Sequence, residues 1–341
     1  MKVLVVGAGV AGLCCALELA QAGYRVELID RAVGPESAGC SRFAGGMLAP
    51  YCEGENAHQL VTSLGVESVE WWQKVLPEVD DGYRQLGSLV LAQGRDRGEL
   101  ARFAQRSSGH ESVRGDALSE IEPELAGIFP QGLYFAAEAH IDPRLAMRRI
   151  RSRLQELGAT VRYGADASEY KGAAELVVDC RGLAGRDTLS ELRGVKGEML
   201  LVKCPAIRLS RPIRLLHPRI PLYIVPRGDG VYMIGATMIE SDEQKRVSAR
   251  SLVELLQGAF ALHPTFSEAE ILELGTEVRP AFRDNLPKVC RKGNTIFVNG
   301  LYRHGFLLAP VLAQWVRNWV SGGELPPGPD NWEIMNEDSM Q

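Results

Sequence analysis

The first thirty residues, MKVLVVGAGVAGLCCALELAQAGYRVELID, restrict the start of the fold more than any other stretch. An apolar run, Val3 to Val6, meets Gly7-Ala8-Gly9-Val10-Ala11-Gly12. A helical pattern follows over 13–21, Gly23 breaks it, and a second apolar run ends on Asp30. This order predicts a strand, a tight turn, a helix and a second strand, the unit that holds a dinucleotide. Gly7 permits the turn, Gly9 lets backbone approach a pyrophosphate, and Gly12 lets helix and strand pack closely. The positive end of the helix suits the pyrophosphate, and Asp30 is placed to accept from adenosine ribose hydroxyls. The unit leaves open whether the dinucleotide is NAD or FAD.

The remaining composition narrows the function class. The chain has 341 residues, of which 45% are hydrophobic and 24% charged, enough for one large or two medium domains. A net charge of −5 and the lack of a basic block argue against nucleic acid or a membrane surface as partner. The first strand begins at Lys2, which leaves no room for a signal peptide, and no apolar run is long enough to span a bilayer. A cytoplasmic protein is expected. The seven cysteines show no zinc spacing, so no metal site is expected and the thiols read as reduced and partly buried.

After Asp30 the chain does not continue into another helix and parallel strand. Residues 31–50, RAVGPESAGCSRFAGGMLAP, have no clear period, and their small side chains let backbone lie against an extended ligand. Helices are expected from Glu67 to about 76, over 96–106 and 116–122, after an Asp142 cap with Pro143 in the first turn, and over 248–262. Between 195 and 237 the period changes to two, which predicts an antiparallel sheet. A strand over 271–278 leads to Arg279-Pro280, and a strand over 295–299 leads through a glycine turn into a helix over 306–320. The expected architecture is α/β. A dinucleotide-binding domain from 1–50, 140–190 and 276–330 interleaves with an α+β substrate domain, mainly antiparallel sheet, from 51–139 and 191–275; 331–341 is a loose tail.

Two further places carry chemistry. FVNGLYRHGFLLAP, 297–310, runs from strand to turn to helix, and that helix start offers free N–H groups and partial positive charge. Against a flavin it would stabilise negative charge on the reduced ring. Arg279 ends an apolar strand, and a buried guanidinium needs an anion, either an internal Asp or Glu or a substrate carboxylate. Tyr223, in PLYIVPR, could point its hydroxyl into the same pocket or sit in the core. His304 reads as a positioning or packing residue rather than a base. A second GxGxxG is absent, which disfavours holding FAD and NAD together.

These blocks, with CSRFAGGMLAP, YIVPRGDGVYMIGAT and EVRPAFRDNLP, resemble the FAD-dependent D-amino-acid oxidase superfamily. Within it the chain is most similar to the glycine oxidases of thiamine biosynthesis. The resemblance implies a Rossmann-like domain binding FAD non-covalently through Gly7, Gly9, Val10, Ala11, Gly12, Asp30 and Arg31. It also implies that Cys40, Ser41, Gly45, Gly46 and Met47 run towards the flavin, and that Ala167, a middle-strand residue, meets the adenine side. Leu301, Tyr302, Arg303, His304, Gly305, Phe306 and Leu307 would wrap the ring edge. Arg279 would bind the substrate carboxylate, helped by Tyr223, with Arg303 beside the amine or carboxylate and Met238 near the side-chain pocket. The implied reaction is oxidative deamination of glycine or a small D- or N-substituted amino acid, by hydride transfer to flavin N5. It yields imine and, with O2 as acceptor, hydrogen peroxide, and feeds thiazole formation. No side-chain base is required. The alternative is a dehydrogenase passing electrons to a quinone or partner protein. A homo-oligomer is left open.

Overall fold

The structure, a computed structural model, describes residues 1–37, 39–76, 82–170, 174–217, 222–243 and 246–324. The expected tail, 331–341, and the end of the expected 276–330 segment lie outside these residues.

Lys2–Val6 is a strand at the middle of a six-stranded sheet. Its neighbours are Leu176–Asp179 and Arg25–Asp30, both parallel to it. Thr160–Tyr163 extends one side, while Thr295–Asn299 and Lys288–Lys292 extend the other, only the last pair antiparallel. A central parallel strand is buried on both faces, which explains why Val3, Leu4, Val5 and Val6 run without alternation. Three helices, Val10–Gln21, Pro143–Glu156 and Gly305–Val320, pack with this sheet in one core. Asp142 caps the second of them, its side chain accepting from the Arg144 and Leu145 N–H groups.

The turn after the first strand is as tight as its glycines imply. Gly7 has φ of 102°, and a Cβ there would lie 2.5 Å from the Cys180 carbonyl oxygen. A Cβ on Gly12 would lie 1.8 Å from the Gly7 carbonyl oxygen.

Nine strands form the second sheet among the described residues. At its centre Arg193–Lys203 pairs antiparallel with both Val231–Gly235 and Glu270–Ala281. Leu222–Pro226 follows, then Ile213–Leu216, which meets Ser88–Ala92 as a parallel neighbour. Ala249–Leu262 covers one face, burying Leu255, Ala259 and Leu262.

Three expectations are corrected. The helix expected from Glu67 begins at Gln59, because the His58 ring accepts from the Leu60 N–H and supplies an unusual cap. Gly65 disguises its first half, and a Cβ there would press on Pro50 and Leu307. The strand expected to stop at Val278 runs on through Pro280, where Ala281 still pairs with Arg193. Ala167 is not in a strand. Gly164 turns the chain at φ 68°, and Asp166 then accepts from Ser168 to form a short 3-10 turn, Ala167–Tyr170. Ala167 packs near Val6 and Ile29, beside the ends of the first two strands.

Gly12→Ala should lower unfolding free energy by several kcal/mol or prevent folding, since its Cβ would meet backbone that cannot give way. Gly34→Ala, where a Cβ meets nothing, should change it by under about 0.5 kcal/mol. Urea denaturation distinguishes them, and equal effects would contradict the packing described.

Candidate active site

A cavity of about 1240 Å³, counting its open mouth, lies between the second sheet, the glycine-rich run and the starts of the helices Val10–Gln21 and Gly305–Val320. Its first wall is the start of the helix Val10–Gln21, whose cap residue Gly9 offers no side chain. The Val10 N–H donates to Ser41 Oγ at 3.0 Å, which ties the glycine-rich run to the helix. Asp30 fastens the turn: Oδ2 accepts from the Ala8 N–H at 2.6 Å and Oδ1 from the Ala32 N–H at 2.8 Å. A ribose hydroxyl would share an oxygen already accepting from backbone.

The second wall is the turn before Gly305–Val320. Asn299 holds it, with Oδ1 accepting from the Gly300 N–H and Nδ2 donating to the Gly182 carbonyl, both at 2.8 Å. Trp72 Nε1 donates to the Phe306 carbonyl at 2.7 Å and anchors the first helical turn. His304 is the cap residue and gives no side-chain cap bond, so the first N–H groups of this helix have no side-chain acceptor at the cap. Gly305 and Val10 nearly touch, since a Cβ on Gly305 would lie 3.4 Å from Val10 Cγ1. Two helix N-termini therefore begin side by side at one cavity, an arrangement that favours negative charge between them.

The third wall carries Arg279 and Tyr223. Arg279 pairs across its strand with Val195, and its guanidinium lies over Gly197, where a Cβ would be 2.2 Å from Nη2. Nη1 donates to the Thr237 carbonyl at 3.2 Å. Among the described residues no ion pair joins Arg279 to a carboxylate, although Glu277 lines the same cavity. Tyr223 lies between Gly45 and Gly235, where Cβ atoms would be 2.7 Å and 2.9 Å from its ring and hydroxyl. Burial pushes the Tyr223 hydroxyl pKa up, while Arg279 acts in the opposite direction.

Glu53 joins these walls. Its carboxylate lies 2.5 Å from Arg303 Nη2 and 2.9 Å from His304 Nε2, and 3.8 Å from Arg214 Nη1. His304 Nε2 faces both the Glu53 carboxylate at 2.9 Å and Arg303 Nε at 3.3 Å, and buried Nδ1 is without a protein partner among the described residues. Burial alone would favour the neutral acid, but Arg303, His304 and Arg214 outweigh it and hold the Glu53 carboxyl well below the usual range. Burial likewise opposes the charge on Arg214, and Cys52, Glu53 and Glu55 overcome it.

The cavity gathers Val10, Cys40, Ser41, Gly45, Gly46, Met47, Tyr223, Met238, Arg279 and the run Tyr302 to Leu307. Gly7, Gly9, Gly12 and Asp30 stand behind its first wall. Leu301 is buried and bridges to Ala281 rather than lining the cavity, Arg31 is exposed, and Ala167 packs outside the cavity by Val6 and Ile29, at the strand ends next to the glycine turn. Sequence reasoning missed Glu53 and Arg214. Glu53 is the first acid after Glu36, placed just past the glycine-rich run, and Arg214 is a charge between two apolar strand residues; these local marks gain meaning only when the fold joins the two.

Comparison with known proteins fits this geometry. Residues 2–319 match the family model DAO, FAD dependent oxidoreductase. The chain belongs to the DAO family of FAD dependent oxidoreductases. It is 50% identical over 313 residues to a Rhizobium etli protein provisionally named thiamine biosynthesis oxidoreductase ThiO, covering 92% of this chain and 94% of that one. It is 29% identical over 363 residues to a glycine oxidase of Pseudomonas aeruginosa, covering 96% and 97%. The crystal structure of glycine oxidase from Geobacillus kaustophilus superposes with a TM-score of 0.83 at 22% identity, covering 98% of this chain and 99% of that one. The chain is thus an FAD-dependent oxidoreductase of the glycine oxidase and ThiO type, and the mixed α/β fold is the one expected. The donor set suits FAD: two adjoining helix N-termini, a turn no Cβ could enter, and the orphaned buried His304 Nδ1. Among the described residues no group of side chains could hold a metal ion, and no helix is long and apolar enough to cross a membrane.

Glu138 lies behind Glu53, accepting from the Cys52 N–H at 2.7 Å and from Ser88. Burial pushes its carboxyl up to about 8, hydrogen bonds from Ser88 and Cys52 offset this in part, and the Glu53 charge adds to it. In the unfolded chain this proton leaves near the ordinary glutamate value, about 4.3. The stability tied to it is therefore complete below that pH and declines as pH rises towards about 8. Glu138→Gln should remove on the order of 3 kcal/mol of that decline between pH 5 and 8, read by urea unfolding. Parallel pH curves for the two proteins would contradict it.

Proposed function

We propose that this enzyme oxidises glycine or a small D- or N-substituted amino acid to the imine, and that the imine from glycine serves thiazole formation in thiamine biosynthesis. The observation that carries the reading is Arg279, a cavity guanidinium whose protein contact is a single carbonyl and which has no paired acid among the described residues. Such a group fits a substrate carboxylate with two parallel hydrogen bonds. The names of the glycine oxidase and ThiO relatives support the substrate class.

FAD would be held by Gly7, Gly9, Val10, Ala11 and Gly12 at one end, by Asp30 and Arg31 near the adenosine, by Ala167 on the adenine side, and by Cys40, Ser41, Gly45, Gly46, Met47 and 301–307 along the flavin. Bound FAD supplies an acceptor for the substrate α-hydrogen as hydride, and O2 then takes the electrons to give hydrogen peroxide.

The protein's part is orientation and electrostatics. Arg279 and Tyr223 fix the carboxylate end, and Arg303 and Met238 border the rest of the substrate space. The N-terminus at Gly305 offers positive potential to negative charge that develops during oxidation. No residue is assigned as a base, and orientation of the reacting carbon is the main contribution. The six-stranded sheet and its helices would form the cofactor domain, from 1–50, 140–190 and 276–330, and the second sheet the substrate domain, from 51–139 and 191–275, with residues 276–281 shared because they continue the strand Glu270–Ala281 of the second sheet.

Arg279→Ala should retain FAD while raising KM for the best amino acid about 100-fold or more, since a half-buried charge partner of the substrate is lost. Peroxide-coupled assays on glycine, sarcosine and small D-amino acids measure this, with dye reduction run in parallel. An unchanged KM removes Arg279 from the site, and dye reduction without peroxide favours the dehydrogenase alternative.

A further inference from the structure

Three guanidinium groups line the cavity, those of Arg214, Arg279 and Arg303, yet they are not equally available. Arg303 is held by Glu53 at 2.5 Å and its Nη1 reaches Met238 Sδ at 3.8 Å. Arg214 is nearly buried, stacked 5.0 Å over the Phe103 ring, with Glu53 and Glu55 at 3.8 Å and 3.7 Å. Both are committed to acids of the protein. Arg279 donates to a carbonyl. With Arg214 and Arg303 both held by acids, a second substrate carboxylate would be desolvated beside Glu53 with no uncommitted guanidinium to receive it.

We propose that Glu53 is a specificity-determining residue: by occupying Arg303 it confines the site to substrates bearing one carboxylate and excludes dicarboxylic amino acids. The inference rests on the reading of Arg279 as the carboxylate anchor. Glu53 acts on selection and not on the reacting atoms. Neutralising it at constant shape leaves Arg303 facing the cavity as an uncommitted cation, the condition a second carboxylate needs.

The test is calorimetric binding of acetate and malonate to the FAD-loaded protein, which reads recognition without turnover. In the wild type malonate should bind no better than acetate. Glu53→Gln should improve malonate relative to acetate about tenfold, the value of one added ion pair of about 1.4 kcal/mol. Arg303→Met in the Glu53→Gln background should abolish that gain, and Glu53→Asp, which keeps the charge, should keep the wild-type ratio. The kcat/KM ratio of iminodiacetate to glycine should move in the same direction. Malonate binding better than acetate in the wild type overturns the proposal, and this holds even if the Gln variant fails to fold. An unchanged ratio in a folded Glu53→Gln protein also overturns it. Failure of acetate to bind, or acetate binding that ignores Arg279→Ala, strikes the functional reading instead.

Discussion

The approach of two helix N-termini, at Val10 and at Gly305, is the constraint around which this structure is arranged. Each terminus brings unpaired N–H groups and a share of positive charge, and close approach is unfavourable unless something negative lies between them. Their proximity is enforced from several sides. Asp30 fixes the turn before the first helix, and Asn299 and Trp72 fix the turn before the second. Glycine makes it sterically feasible, because Gly7 and Gly12 let the first strand, its turn and the helix lie closer than any side chain would permit. A dinucleotide whose central diphosphate is anionic and whose redox ring gains negative charge on reduction would suit two positive termini, which is the chemistry expected of this family.

The substrate side is organised by charge of the opposite kind. Glu53 draws Arg303, His304 and Arg214 together, and Glu138 behind it, pushed up to about 8, is neutral over most of the acid range. One negative group is thereby concentrated where several positive ones converge, and Arg279 is left outside that cluster. Glycines again set the positions: Gly197 gives Arg279 its space, and Gly45 and Gly235 give Tyr223 its slot.

How much of this could be read in advance depended on range. The N-terminal unit was legible because each glycine answers a steric demand from residues nearby in the chain, and the family resemblance followed from blocks spread across the whole sequence. The class of fold was legible for the same reason, since the change from helical period to period two marks the second sheet. The strand Lys288–Lys292 and the start of the helix at Gln59 were hidden, because a short polar strand and a histidine cap give weak local signals. Ala167 was placed in a strand that Gly164 ends. Glu53 was missed because its meaning lies in His304, 251 positions away, and only the fold brings the two together.

The central claim is that a carboxylate is received by Arg279 at the face of the cofactor cavity. It is tested most directly by titrating a small non-oxidisable carboxylate, such as acetate, into the FAD-loaded enzyme and recording the visible flavin spectrum. A saturable spectral change is expected in the wild type, weakened at least tenfold in Arg279→Ala. Superimposable titrations of the two proteins, or no spectral change in either, would contradict it.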